Sequence, residues 1–326
     1  MKTISYGQAI RDAHAFVLRT DPRFFVLGQG VWAPWYVGNS MTDLDLEFGT
    51  DRIIDTPVSE AACTGAALGA ALCGYRTLVV HPRVDFMILA IDQIVTQAAN
   101  WSHMFGGDVS PAVTFRGIVN RGGQQGAQHS QALHSWFAHI PGLRVALPAT
   151  ARDARDLLIA SILDPGPVVY IDDRWLYEEE ELMPEAQEVY FNSIRPAVRR
   201  GGKDITLVSI SFGVKVALEA ATALEQLGIQ AEVVDLRLAN PIMIEEVLTS
   251  VERTGRLCVV DAAWASCGLA GEVIARVMET IPPNVLKSQP RRITLPNAPA
   301  PTSAPLEKDF YFTSATVVTL VQEMCK

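Results

Sequence analysis

Short apolar runs rich in β-branched residues alternate with longer helical stretches along almost the whole chain, and this alternation limits the fold more than any other feature. Residues 24–27, 52–55, 77–80, 112–116, 143–146 and 168–171 read as strands, most of them apolar at nearly every position rather than at every second one. A strand that is apolar on both faces must be covered on both faces, which predicts a mostly parallel sheet flanked by helices. Helices are expected over residues 4–18, from about 60 to 74, 87–103 and 150–163. The rhythm breaks at residues 174–200, where the acids of 178–181 are followed by prolines and a basic end. Four adjacent acids cannot converge on one ion, so this stretch reads as a solvated linker. Alternation resumes at Asp204 and runs to a proline-rich segment, 282–305, and a closing helix. The expected fold class is α/β, with two doubly wound, mostly parallel-sheet domains at 1–175 and 204–326 and a linker at 176–203.

Within the first of these, residues 55–74 read DTPVSEAACTGAALGAALCG. After Pro57 nearly every residue is small or apolar, which suits a helix packed closely on all sides, and Glu60 is its only charge. An ionised carboxylate in an apolar setting must find a partner or take up a proton, and a buried Glu of raised pKa is what acid/base chemistry uses. Ser59 or Thr56 would cap the helix and put Glu60 in its first turn. The plainer alternative is that Glu60 is a first-turn acid favoured by the helix dipole.

The chain has 326 residues, enough for two domains with cores of their own, and is 49% hydrophobic and 19% charged. A net charge of −9, with no basic run longer than Arg199–Arg200 or Arg291–Arg292, argues against nucleic acid and anionic membrane as partners. No apolar run is long enough to span a bilayer. The start, MKTISYGQAIRDAHAFVL, is amphipathic and contains an acid, unlike a signal or transit peptide, and five scattered cysteines without a CxxC pair read as reduced residues of a cytoplasmic protein. The aromatic, aperiodic stretch after Gly28-Gln29-Gly30 reads as a loop to about Met41, at the carboxyl end of a parallel strand where such sheets place ligands. Trp32, Trp35 and Tyr36 are costly to leave in water, so an interface or a pocket wall is expected there.

The stretch DTPVSE, together with AIDQI at 90–94 and GAQHSQ at 126–131, resembles the β subunit of the thiamine-diphosphate-dependent 2-oxoacid dehydrogenases, the E1β family, over nearly the whole chain. The resemblance implies a transketolase-like pyrimidine-binding domain followed by a transketolase C-terminal-like domain. It implies that Glu60 hydrogen-bonds N1′ of the cofactor's aminopyrimidine, that Phe86 stacks on that ring, and that His129 stands near the substrate. A lone Phe is more often a core residue and a loop His is often bonded to backbone, and those readings stay open for Phe86 and His129. Magnesium diphosphate is held in the superfamily by a GDG motif, which this chain lacks. The implied partner is therefore an α subunit that carries GDG and Mg2+, in an α2β2 assembly, with a lipoyl-bearing acyltransferase or carrier protein as a further partner. A monovalent cation, K+, is implied at backbone carbonyls of Ile162 and Asp164.

Two departures bear on substrate. Gln29 stands where the family usually has an acid, and Val80-His81-Pro82-Arg83-Val84 replaces an E-F-M-T-F type segment. His81 and Arg83 add groups able to meet a carboxylate or phosphate, or else to pair with Asp85 or Asp92. The leading expectation is an enzyme subunit that decarboxylates a 2-oxoacid and passes the acyl unit to a lipoyl or other acceptor. The alternatives are half of a split transketolase moving a two-carbon ketol unit, and a non-catalytic scaffold.

Overall fold

The computed structural model describes residues 1–326. The alternation read from the sequence is borne out as β1 (Lys2–Ser5), α1 (Tyr6–Thr20), β2 (Phe24–Gln29), α2 (Pro34–Val37), α3 (Leu44–Phe48), β3 (Ile53–Thr56), α4 (Glu60–Leu72), β4 (Arg76–His81), α5 (Val84–Met87), α6 (Ala99–Met104) and β5 (Val113–Val119). There follow α7 (His134–Ala138), β6 (Arg144–Ala146), α8 (Ala151–Leu163), β7 (Val168–Asp173), β8 (Glu180–Met183), β9 (Ala197–Arg200), β10 (Ile205–Ser209), α9 (Phe212–Glu225), β11 (Ala231–Asp235) and β12 (Leu238–Asn240). The chain ends with α10 (Glu245–Thr254), β13 (Leu257–Trp264), α11 (Leu269–Thr280), β14 (Arg291–Leu295), α12 (Ala304–Phe310) and α13 (Ser314–Met324). It divides into two compact units. One comprises residues 1–121 and 136–194, the other residues 122–135 and 195–326.

In the first unit, strands run parallel in the order β6-β7-β5-β4-β2-β3. The interior of β5 is buried at every residue, as expected of a strand covered on both faces. Helix α1 starts at a capping box, in which the Ser5 hydroxyl accepts from the Gln8 amide while the Gln8 side chain accepts from the Ser5 amide, and it packs against α8. The apolar sheet also holds one ionic network. Fully buried Arg116 makes a bidentate pair with Asp172 at 2.9 and 3.0 Å, and donates to Ser40 Oγ at 2.8 Å and Tyr177 Oη at 3.0 Å. Burial opposes the charge of Arg116, but Asp172 overrides it and raises the guanidinium pKa above its ordinary value.

In the second unit the order is β14-β13-β10-β11-β9, parallel except for β9. Residues 176–203, expected as a bare linker, hold β8, which pairs with β1, and β9, which pairs with β11. Their strand patterns are short and strongly charged, because these strands lie at edges and need no apolar cover on both sides.

Two other expectations change in detail. The loop expected up to Met41 contains α2 and a 3₁₀ turn, Gly38–Met41. The single helix expected over 87–103 is divided into α5, a 3₁₀ turn, a π-helical stretch Asp92–Ala98, and α6. Wide π turns of this kind recur near functional sites.

Candidate functional site

Parallel strands β4, β2 and β3 are neighbours, with Gly28 opposite both Asp55 and Val80, so their carboxyl ends finish side by side. Gly28 has to be glycine, since a Cβ there would lie 2.5 Å from the Val80 carbonyl oxygen. A shallow cleft lies over these ends, lined by Gln29 of β2, Thr56 of β3, His81 at the end of β4 and Pro82 after it, and Ser59, Glu60 and Cys63 at the start of α4. Its place, outside the carboxyl ends of strands in a doubly wound sheet, is where such folds bind ligands.

Glu60 is the first residue of α4, with Ser59 at the cap position, although the Ser59 side chain makes no capping hydrogen bond. The carboxylate is half-buried rather than sealed, and nothing in the chain hydrogen-bonds or ion-pairs with it. The expectation that α4 is packed on all sides is corrected: Ala61, Ala62, Ala66 and Gly69 face outward, while Thr64, Ala67, Leu68 and Ala71 are buried. Trp35, expected at an interface or in a pocket wall, is 83% exposed in the single chain. Trp32 is held by its indole N–H, which donates to the Ile53 carbonyl at 2.9 Å.

His81 is buried beneath α4, with Nε2 3.4 Å from Thr64 Oγ1. Burial pulls its pKa from 6.5 to about 4, so at neutral pH it is uncharged and offers the pocket hydrogen bonding rather than positive charge. This has a measurable consequence. An unfolded chain protonates His81 near pH 6.5 while the folded chain does so only near pH 4, so the unfolded state binds more protons in that window and folding weakens as pH falls. The loss amounts to about 3 kcal/mol when complete. Thermal melts of His81→Gln from pH 7 to pH 4 should show a shallower decline than the parent, and parallel declines would mean that His81 does not titrate this way.

Arg83 follows on the same turn and is half-buried. Its Nη1 donates to the Pro82 carbonyl at 2.7 Å, and its buried Nε has no partner. Burial, and then the neighbouring Arg174, pull its pKa below the ordinary arginine value, with Asp85 offsetting part of this. The turn continues into α5, where Phe86 is half-buried and its amide donates to the Arg83 carbonyl at 3.2 Å. His129 lies in a segment that belongs to the second unit. There the Gln124 amide donates to both carboxylate oxygens of Glu307 at 3.1 Å, a Cβ at Gly126 would lie 3.3 Å from Thr302 Oγ1, and Ser135 Oγ accepts from the Leu269 amide at 3.1 Å. The geometry therefore gathers Gln29, Glu60 and His81 in one pocket, continues the chain to Arg83 and Phe86, and assigns His129 to the other unit.

The carbonyls of Ile162 and Asp164, expected as ligands of a monovalent cation, both accept hydrogen bonds from the Arg76 guanidinium. No group of three or more His, Cys, Asp or Glu is placed to hold a metal ion. The sequence reading missed Arg76, the Arg116–Asp172 pair, and a buried contact between His134 and Asp261 at 3.2 Å. The available signal was an Arg or Asp inside an otherwise apolar strand.

Residues 2–179 match the transketolase pyrimidine-binding domain, and residues 196–317 match the transketolase C-terminal domain. The chain is 36% identical over 326 residues to the pyruvate dehydrogenase E1 component subunit beta of Rhizobium meliloti (strain 1021), covering 100% of this chain and 70% of that protein. It is 42% identical over 332 aligned residues to the acetoin:2,6-dichlorophenolindophenol oxidoreductase subunit beta of Cupriavidus necator, covering 97% of this chain and 96% of that one. The mitochondrial pyruvate dehydrogenase E1 component subunit beta of Saccharomyces cerevisiae is 35% identical over 99% of the chain and 89% of its own length. Among solved structures, a split-gene transketolase described as an inactive beta4 tetramer superposes with a TM-score of 0.79 over 99% of this chain and 98% of that one, at 21% identity, a likeness of fold. No helix here is long and apolar enough to cross a membrane.

Proposed function

The chain belongs to the E1β family of thiamine-diphosphate-dependent 2-oxoacid dehydrogenases, and from that membership we propose that it is the half of a heteromeric enzyme that receives the aminopyrimidine ring of the cofactor. The observation that carries this reading is the Glu60 carboxylate, without a partner in its own chain, standing beside Gln29 and His81 where β2, β3 and β4 end. A carboxyl group so placed fits a ring nitrogen that needs a proton shared with it. When bound, thiamine diphosphate supplies the carbon nucleophile that attacks a 2-oxoacid and allows carbon dioxide to leave. Glu60 holds the proton at the pyrimidine nitrogen, and Phe86 offers a ring face for stacking. His81, neutral and fixed by Thr64, orients the pocket wall, and for His129 family membership alone supports a place near the substrate.

The diphosphate and Mg2+ are assigned to an α-type partner, since this chain lacks GDG and has no acidic cluster for a metal. The outward small-residue face of α4 and the exposed Trp35 fit a chain that is covered by other subunits. A lipoyl-bearing acyltransferase is the acceptor-side partner, and five unpaired cysteines suit a reducing compartment such as the cytoplasm.

The departures at Gln29 and Arg83 point the donor or acceptor toward a more anionic molecule than pyruvate. A half-buried guanidinium with an unpartnered Nε and a second arginine nearby is suited to a carboxylate or phosphate. A charge-assisted bond of this kind contributes on the order of 1.5–3 kcal/mol, so Arg83→Ala should raise the KM for the true substrate roughly ten- to a hundredfold. The experiment is a panel of acidic 2-oxoacids, pyruvate and phosphorylated ketoses, assayed on the enzyme assembled with its GDG-bearing partner. Decarboxylation with acyl transfer supports the dehydrogenase reading, whereas ketol transfer alone replaces it with the split-transketolase reading. Equal activity of parent and variant on every anion would make Arg83 structural.

A further inference from the structure

We propose that the turn closing α8 carries a protein cation, the guanidinium of Arg76, in place of a metal ion, so that this chain needs no monovalent cation there. The inference stands on the geometry of the turn and does not depend on the substrate or on the role of Glu60. A helix leaves its last carbonyls unpaired, and their dipoles make that end negative. In α8 three of these carbonyls are accounted for within the chain. The Ala160 carbonyl accepts from the Asp164 amide at 3.1 Å, the Ser161 carbonyl accepts from Thr114 Oγ1 at 3.0 Å, and the Ile162 carbonyl accepts from Arg76 Nη1. The same Nη1 donates to the carbonyl of Asp164 at 3.1 Å. Two carbonyl oxygens two residues apart thus converge on one positive nitrogen, the arrangement that carbonyls offer a small cation.

The carboxylate of the turn is already committed within the chain. Asp164 is buried, and its Oδ1 accepts from the Gly166 amide at 2.8 Å while Oδ2 pairs with Arg144. Arg76 Nε faces Asp21 Oδ2 at 3.4 Å, which holds the guanidinium from its other side. A potassium ion would have to displace Arg76 from both carbonyls and would then sit beside Arg144 with no free carboxylate to offset the added charge. Arg76 is also the first residue of β4, the strand that delivers His81 to the pocket, so the device ties the end of α8 to the strand that builds the site.

The test is thermal unfolding of the full chain and of the assembled enzyme in potassium chloride and in choline chloride at equal ionic strength, with the parent, Arg76→Ala and, as a milder change that keeps the stem, Arg76→Met. The parent should melt at the same temperature in both salts. Arg76→Ala should melt lower by roughly 5 °C in choline and recover part of that loss, saturably, in potassium. If Arg76→Ala does not fold, Arg76→Met is read in the same way. A saturable potassium-specific rise in the parent would overturn the proposal, because the site would then hold a metal ion despite Arg76. Variants that fold but show no potassium response would overturn it as well, because the carbonyl turn would then be no cation cradle.

Discussion

Glu60→Gln, assembled with its partner and loaded with cofactor, should lose exchange of the C2 proton of thiamine diphosphate by a factor of ~10² or more while the complex remains intact. Gln keeps the shape and the hydrogen-bonding reach of Glu at the start of α4, so packing and assembly are not disturbed. What it cannot do is share a proton at the pyrimidine nitrogen, and removing a positioned acid/base group typically costs 10²–10⁴-fold. In the structure Glu60 is suited to this task because the chain gives its carboxylate no other partner and because the ends of β2, β3 and β4 place it in the pocket. Hydrogen–deuterium exchange at C2, quenched in acid and read by NMR, measures the step without requiring the physiological substrate to be known. An unchanged exchange rate, with the complex eluting as the parent does, would take Glu60 out of the role.

The fold was legible because its signal is repeated. Strands covered on both faces leave apolar runs at nearly every position, and β2, β4, β5, β7, β10, β11 and β13 each show such a run, interrupted by helices of ordinary length. Edge strands leave a weaker signal. β8 and β9 are charged, sit among acids, prolines and arginines, and read as linker because an edge needs apolar residues on one side at most. The split of 87–103 into 3₁₀, π and α turns is also hidden, since a change in hydrogen-bond register alters the backbone without altering the residue pattern much.

The site was legible to a different depth at each residue. Glu60 stood out because a single acid opens an otherwise uncharged helix. That its carboxylate is only half-buried depends on what covers the outward Ala61, Ala62 and Ala66, which one chain does not determine. His81 was read as a hydrogen-bonding or cationic group, and burial beneath α4, a tertiary effect, leaves only the first. Arg76 and Arg116 could not be assigned from sequence, because an arginine in a strand gives no sign of the partner across the sheet. Asp172 lies 56 positions from Arg116, and Ile162 lies 86 from Arg76.

The central claim is that this chain supplies the pyrimidine side of a cofactor site whose diphosphate side belongs to another subunit. Mg2+ demands an ordered octahedron and is held through one or two carboxylates together with phosphate oxygens. Here the acids near the pocket include Glu60, at the start of α4, and Asp55, whose Oδ1 accepts from the Val31 amide at 3.2 Å. Several charge-assisted bonds to the diphosphate are thus missing, which corresponds to a loss of roughly 10³-fold or more in affinity. The measurement is isothermal titration of thiamine diphosphate with Mg2+ into the purified chain, and then into the chain mixed with its GDG-bearing partner. The account predicts no saturable binding in the first titration and tight, magnesium-dependent binding at one cofactor per chain in the second, whereas tight, magnesium-dependent binding to the chain alone would contradict it.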